Sequence, residues 1–123
     1  METELIKAHE KPGLIIFDRL DFEARRFFIM SGLTGETRGA HAHRECRQLL
    51  HCLEGSVELV ADTGNKILSI NLNSRTNYYM HETLTWLTIN FLEPSRVLVL
   101  AEFEYDEADY IRNYEEFLKE SQT

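Results

Sequence analysis

Residues Gly35 to Gly55 read GETRGAHAHRECRQLLHCLEG. Within them His41 and His43 are separated by a single residue, and on a strand such a pair points to one face. Two imidazoles then look into the same space, with Arg38 just ahead of them. No other stretch of the chain gathers so many groups able to move a proton or bind an ion. His51 has the same parity, and joins them only if the strand runs on without a bulge.

Working outward, the chain reads as strands. Leu14–Phe17 (LIIF) and Phe27–Met30 (FFIM) are short apolar runs, and Arg44–Leu53 reads as one buried strand. Ser56–Ala61 alternates, with Val57, Leu59 and Ala61 on one face. Asp62-Thr63-Gly64-Asn65 predicts a hairpin turn, because Gly and Asn supply the positive φ angles of a tight connection. Lys66–Leu72, Tyr78–Met80, Thr85–Phe91 and Arg96–Phe103 continue the pattern. About eight or nine short strands, with turn signals roughly every 8 to 12 residues, predict an all-β sandwich or barrel. The tail then changes period. Tyr110, Ile111, Tyr114, Phe117 and Leu118 recur at helical spacing, and Asp106 is placed to cap them. The expectation is a single domain over residues 1–123, with a core at about 14–103 and one C-terminal helix at about 106–119.

Composition narrows the function classes. The chain has 123 residues, 43% hydrophobic and 28% charged, an ordinary globular balance. Its net charge is -8 and its pI about 5.1. No basic stripe is available to neutralise phosphates, which argues against a nucleic-acid partner. A small anionic ligand needs only one or two arginines, and Arg38, Arg75 and Arg96 are candidates. Cys46 and Cys52 have no CxxC partner and read as buried, small apolar side chains. No apolar run approaches a membrane span, and Met1–Lys11 carries no signal-peptide pattern, so the default compartment is the cytoplasm. His9, in this polar stretch, reads as solvated.

The spacing Gly35, His41, His43, Gln48, Gly55 resembles the first sequence motif of the cupins. These are small jelly-roll proteins built as a double-stranded β-helix. Metal-binding cupins carry a glutamate where this chain has Gln48. Aligning the end of their second motif on Asn90 puts Trp86 at the place of a third histidine, and His81 at the place of a proline. Gln48 is neutral and Trp86 cannot ligate, so two imidazoles alone make an incomplete site for zinc or non-haem iron. No metal and no cofactor is therefore expected, although His81 or His51 could complete a shell. Imidazole titrates near neutrality, and a pair of them can deprotonate and reprotonate a substrate. A silent histidine pair on an inert barrel is the bland alternative.

With these residues in view, the chain resembles the sugar 3,4-ketoisomerases of nucleotide-sugar biosynthesis, the WxcM-like group of cupins. Gly35–Arg44 (GETRGAHAHR) is close to that family's RGxHAHK core, and Gln48–Ser56 (QLLHCLEGS) to its QxLxCxxGS. Val99-Leu100-Ala101 followed by Tyr105–Phe117 (YDEADYIRNYEEF) is close to its ending, which generic cupins lack. The resemblance implies an isomerase of deoxysugar pathways, including those that supply lipopolysaccharide O-antigen. It would move the ketone of a dTDP-linked 4-keto-6-deoxyhexose from C4 to C3, without metal or organic cofactor. His41 and His43 would be the acid/base pair, and Arg38 would hold the anionic species. Tyr79 and Trp86 are placed to stack on a base or sugar, His81 to face the pocket from an opposite strand, and Gln48 and His51 to line it. Family members are homodimers that exchange N-terminal strands. Two stretches depart from the family: Phe27–Met30 replaces a tyrosine-rich strand, and His81–Leu87 is one residue short. A nucleotide-sugar-binding or regulatory cupin without turnover, a metal-dependent cupin enzyme and a 3,5-epimerase-like activity are the alternative functions.

Overall fold

The computed structural model describes residues 7–11, 14–75 and 78–122, with side chains from residue 20 onward. Strands β1 (Lys7–Lys11) and β2 (Leu14–Arg19) form an antiparallel pair; the side chain of His9 lies outside the described residues. The barrel is built from β3 (Arg26–Gly32), β4 (Thr37–His43), β5 (Gln48–Glu54), β6 (Ser56–Asp62), β7 (Ile67–Asn73), β8 (Tyr79–His81), β9 (Trp86–Phe91), β10 (Ser95–Ala101) and the two-residue β11 (Tyr110–Ile111). They make two antiparallel sheets, ordered β3-β10-β5-β8 and β11-β4-β9-β6-β7.

Alternation decides what lies between the sheets. Val57, Leu59 and Ala61 of β6 lie beside Phe91, Ile89 and Leu87 of β9 on the inner face of one sheet, and Val97 and Val99 of β10 complete the same core from the other with Leu50 and Cys52. These side chains are almost fully buried, and each of the valines, leucines, Ile89 and Phe91 contributes roughly 1.5–3 kcal/mol by leaving water. The turn at residues 62–66 forms as its sequence requires. Gly64 adopts φ 92° and donates its N–H to Asp62 Oδ1 at 2.8 Å. Both cysteines are free and buried, although Cys46 precedes β5 instead of lying on it. The expected strand over Arg44–Leu53 is interrupted: β4 ends at His43, and residues 44–47 turn the chain from one sheet to the other.

The tail differs from the single helix predicted over residues 106–119. Asp106 caps only a 3-10 turn, Glu107–Asp109, by accepting from the N–H of Ala108. Tyr110 and Ile111 then pair with His43 and Ala42 as β11. The helix itself, α1 (Tyr114–Ser121), starts at an Asn113 cap that accepts from the N–H of Glu116 at 2.9 Å. Arg44 explains the break. Its Nη1 donates to the carbonyls of Ala108 and Tyr110, at 2.7 and 3.0 Å, which holds this backbone extended against the sheet edge.

The helix closes the outer face of the second sheet. Phe117 is fully buried with Ala42 and Ile111, and Leu84, Trp86 and Leu118 pack around them. Phe117→Ala should therefore lower unfolding stability by about 3–5 kcal/mol, as for other aromatic-to-alanine truncations in cores. Urea denaturation followed by far-UV circular dichroism measures it.

Candidate active site

A cavity of about 210 Å³ opens between the two sheets. Phe28, Met30, Leu50, Leu87, Ile89 and Val99 give it apolar walls, and its polar groups are His41, Gln48, His81, Tyr110 and Arg112.

A bulge in β4 aims the histidines. Gly39 pairs with Thr88 and His41 with Leu87, so Ala40 has no partner across the ladder. Gly39 sits at φ 90°, and a Cβ there would stand 2.6 Å from the Leu87 carbonyl oxygen. Beyond the bulge His41 and His43 share the inner face as expected, with ring centroids 5.0 Å apart. Ala42 between them turns outward beneath the helix.

His43 has no exposed surface. Its Nδ1 lies 2.8 Å from Asp109 Oδ2. The other oxygen of Asp109 accepts from the backbone N–H groups of Glu45, at 2.6 Å, and Cys46, at 3.3 Å. Burial works to raise the Asp109 pKa, but these hydrogen bonds outweigh it and the net shift is downward, so the group is a carboxylate at neutral pH. A carboxylate only accepts, which assigns the proton to Nδ1 and the lone pair to Nε2 of His43. That Nε2 is buried without a partner. Burial lowers the His43 pKa, against the opposing pull of Asp109 and with help from Arg26 and Arg112.

His41 lies beside it with Nδ1 also buried and unpartnered. Burial, then the charge that His43 would carry, brings its pKa down to about 4. His81 ends β8 directly across from Gln48. It is 1% exposed, and its ring centroid is 5.7 Å from that of His43. Its Nε2 is 2.8 Å from the Thr85 carbonyl, and burial lowers its pKa to about 4 as well. Tyr110 stands against both other imidazoles, with centroids 4.9 Å from His41 and 4.4 Å from His43. Arg112 stacks on Tyr110 at 4.4 Å and is gripped by both oxygens of Glu107, at 2.6 and 2.9 Å. Among the described residues no three His, Cys, Asp or Glu side chains gather so as to hold a metal ion.

The other residues singled out in the sequence divide. Gln48 and His81 join the cavity. Arg38 pairs with Ile89 and so shares the inner face. Its guanidinium, however, turns to the Ser31 carbonyl and Glu36 and stays half-exposed, off the cavity wall. Tyr79 opposes Leu50 and packs on the core. His51 opposes Leu98 on the outer face of its sheet, because the turn at residues 44–47 breaks the parity it shared with His43. Trp86 also faces outward. Its ring lies 5.3 Å from Tyr114 and 5.7 Å from Phe117, as a floor for the helix. His51 and Trp86 are therefore not brought to the cavity. Asp109, Tyr110 and Arg112 are the residues that sequence reasoning missed; they lie in the family-specific ending, whose helix-like spacing hid them.

Comparison with known proteins identifies the family and the fold. Residues 4–122 match the family described as FdtA: WxcM-like, C-terminal. The TDP-4-oxo-6-deoxy-alpha-D-glucose-3,4-oxoisomerase of Aneurinibacillus thermoaerophilus is 36% identical over 102 residues, 81% of this chain and 73% of that protein. The sugar 3,4-ketoisomerase QdtA of Thermoanaerobacterium thermosaccharolyticum, solved with TDP, superposes with a TM-score of 0.83 at 27% identity, over 95% of this chain and 90% of its own. A 3,4-ketoisomerase from Helicobacter canadensis gives 0.83 at 30% identity, over 96% and 94%. The rmlC epimerase of Mycobacterium tuberculosis shares the fold alone, with a TM-score of 0.71 at 17% identity, over 86% of this chain and 64% of its own.

The buried imidazoles set a pH dependence. In the unfolded chain histidine titrates near 6.5, whereas His41 and His81 titrate near 4 when folded. Between those values the unfolded state binds more protons, so stability is full above about 6.5 and falls as the pH drops toward 4. Thermal melts across this window should show a decline of several degrees, and replacing His81 by leucine should flatten it.

Proposed function

The chain belongs to the WxcM-like FdtA family, and from that premise we propose that it moves the ketone of a dTDP-linked 4-keto-6-deoxyhexose between C4 and C3 by imidazole acid/base catalysis. The observation that carries this reading is the Asp109–His43 pair, which leaves an oriented, unpartnered Nε2 lone pair next to His41. The same chemistry is supported by relatives: QdtA has been solved with TDP and, as a variant, with TDP-4-keto-6-deoxyglucose.

The C3 hydrogen of such a sugar is acidic because the neighbouring carbonyl delocalises the carbanion. His43 Nε2 takes it, and Asp109 stabilises the imidazolium that forms. An enediol results, and the proton returns at C4. His41 is neutral at pH 7 and serves as an N–H donor to the oxygen where charge develops, as a neutral imidazole can in a site closed to water. Arg112, paired with Glu107, offers guanidinium N–H groups at the cavity's margin, and Gln48 offers an amide from the facing sheet. Arg38, on the same face but farther out, suits the diphosphate. The apolar walls exclude water from the enediol. The chemistry draws on no metal or cofactor. A water-soluble sugar-nucleotide substrate supports a cytoplasmic location.

In deuterium oxide, dTDP-4-keto-6-deoxyglucose should gain deuterium at C3 and form the 3-keto product. Asp109→Asn, which frees the wrong tautomer of His43, should lower kcat by roughly 10²- to 10⁴-fold while the protein still folds. Folded wild type that protects the substrate-bound state against heat but neither exchanges nor isomerises would instead make it a sugar-nucleotide-binding cupin.

We also propose a homodimer with exchanged N-terminal strands. β3 is a sheet edge whose Phe27 and Ile29 are 74% and 47% exposed, an apolar strip of the sort that edge pairing covers. Sedimentation at micromolar concentration should give twice the chain mass, and Phe27→Glu should shift it to monomer.

A further inference from the structure

Moving a ketone from C4 to C3 relocates two protons. One leaves C3 and arrives at C4; the other leaves the O3 hydroxyl and arrives at O4. His43 accounts for the carbon-bound proton, and His41 as an N–H donor steadies the developing charge; the oxygen-bound proton calls for a second base.

His81, the second imidazole lining the cavity, has the properties that base needs. The backbone carbonyl of Thr85 can only accept, so the hydrogen bond at 2.8 Å fixes the proton of neutral His81 on Nε2. The lone pair is thereby on Nδ1, which is buried and has no partner. Leaving such an atom unpaired is costly unless a ligand satisfies it. The ring borders the cavity and meets the ring of His43 edge to face, with an interplanar angle of 76°. Two nitrogen lone pairs, on His43 and His81, therefore lie on neighbouring rings at the cavity's end, and neither can donate to the other. An O–H group satisfies the second while a C–H is presented to the first.

We propose that His81 carries the oxygen-bound proton of the isomerisation between O3 and O4 of the sugar, while His43 carries the carbon-bound one. The inference rests on the ketoisomerase reading above and deepens it. In the first half-reaction the C3–H proton passes to His43 Nε2. Its bonding pair becomes the C3=C4 double bond, and the carbonyl π pair moves to O4. In the second half the O3–H pair becomes the new C3=O bond, and the C3=C4 pair takes the proton from His43 at C4. The O3 proton passes to His81 Nδ1 and from there to O4. Both histidines end as they began, and no other reactant is consumed. The depressed pKa of His81 keeps Nδ1 free to accept at neutral pH.

Two rates separate this role from packing. C3 exchange with deuterium needs only His43, whereas net isomerisation needs both carriers. In His81→Gln, which retains an acceptor but cannot relay a proton, isomerisation should fall about 100-fold or more, and C3 exchange should stay within about threefold of wild type. His81→Leu deletes the unpaired nitrogen, relieves its burial cost, and is read by the same two rates. His43→Asn should lose both. If the two rates fall together in the folded His81 variants, or neither falls, the role assigned to His81 is wrong while the isomerase reading stands. If wild type shows neither rate, the isomerase reading fails and His81's role with it.

Discussion

The hydrogen bond from His43 to Asp109 is the constraint around which the site is arranged. It joins residues 66 positions apart, so the end of the chain must be brought back onto the barrel for the imidazole to acquire a defined tautomer. Arg44 does this. Besides the carbonyls on either side of Asp109, it holds Glu120 through Nε and Nη2 and Glu116 through Nη2, so one guanidinium spans β11 and the helix. Exposed ion pairs taken singly contribute little to stability, about 0–1 kcal/mol. Here the importance of the cluster is geometric. Arg44 follows His43 directly, and its backbone N–H donates to the Asp109 carbonyl. The base and the clamp on its partner therefore belong to adjacent residues.

Burial then turns a histidine cluster into working chemistry. Exposed imidazoles would be partly protonated near neutrality and would repel one another. With His43 and His81 closed off and His41 mostly so, each is held neutral, and protonating one disfavours protonating the next. Such a site offers lone pairs and N–H donors in place of fixed charge. The fixed charges lie at its margins: Asp109 behind His43, and Arg112 stacked on Tyr110 and neutralised by Glu107. A developing enediolate would thus meet oriented dipoles in a medium poor in water, where they act most strongly.

How far the sequence revealed this depended on which period governed each segment. β6, β7, β9 and β10 were legible because each alternates for six or seven residues between clear turn signals. The tail was not. Tyr110 and Ile111 fit the 3.6-residue period of the helix that follows, so the pattern did not show that they belong to a strand and that Asp109 is a partner for His43. Parity arguments held within a strand and failed across an irregularity. His41 and His43 share a face, but residues 44–47 reset the count for His51. Trp86 was placed by motif alignment, whereas its position on β9, one residue before inward-facing Leu87, turns it out toward Phe117. His81 falls where the second cupin motif carries a proline, and the expectation that it faces the pocket from an opposite strand rested on placement alone. The pairing of β8 with β5, His81 opposite Gln48, is what gives it that orientation.

The residues Arg38 to His43, RGAHAH, can now be read one by one. Arg38 reaches across to the Ser31 carbonyl and ties β4 to β3 at the rim. Gly39 is required because its positive φ and the nearby Leu87 oxygen leave no room for a Cβ. Ala40 takes the bulge position at φ 59°, an unfavourable angle for a residue with a side chain, and a small side chain keeps that strain low. The bulge is what puts Arg38 and His41 on one face although three positions separate them. Ala42 must be small because Phe117 and Ile111 cover it completely. Only the two histidines are free of a packing or backbone requirement that another residue would meet as well. They are held in place by Gly39, Ala40 and Ala42, whose identities are set by sterics, and by Arg38, whose guanidinium ties the strand at the rim, which is how six residues come to specify both a strand geometry and a reactive pair.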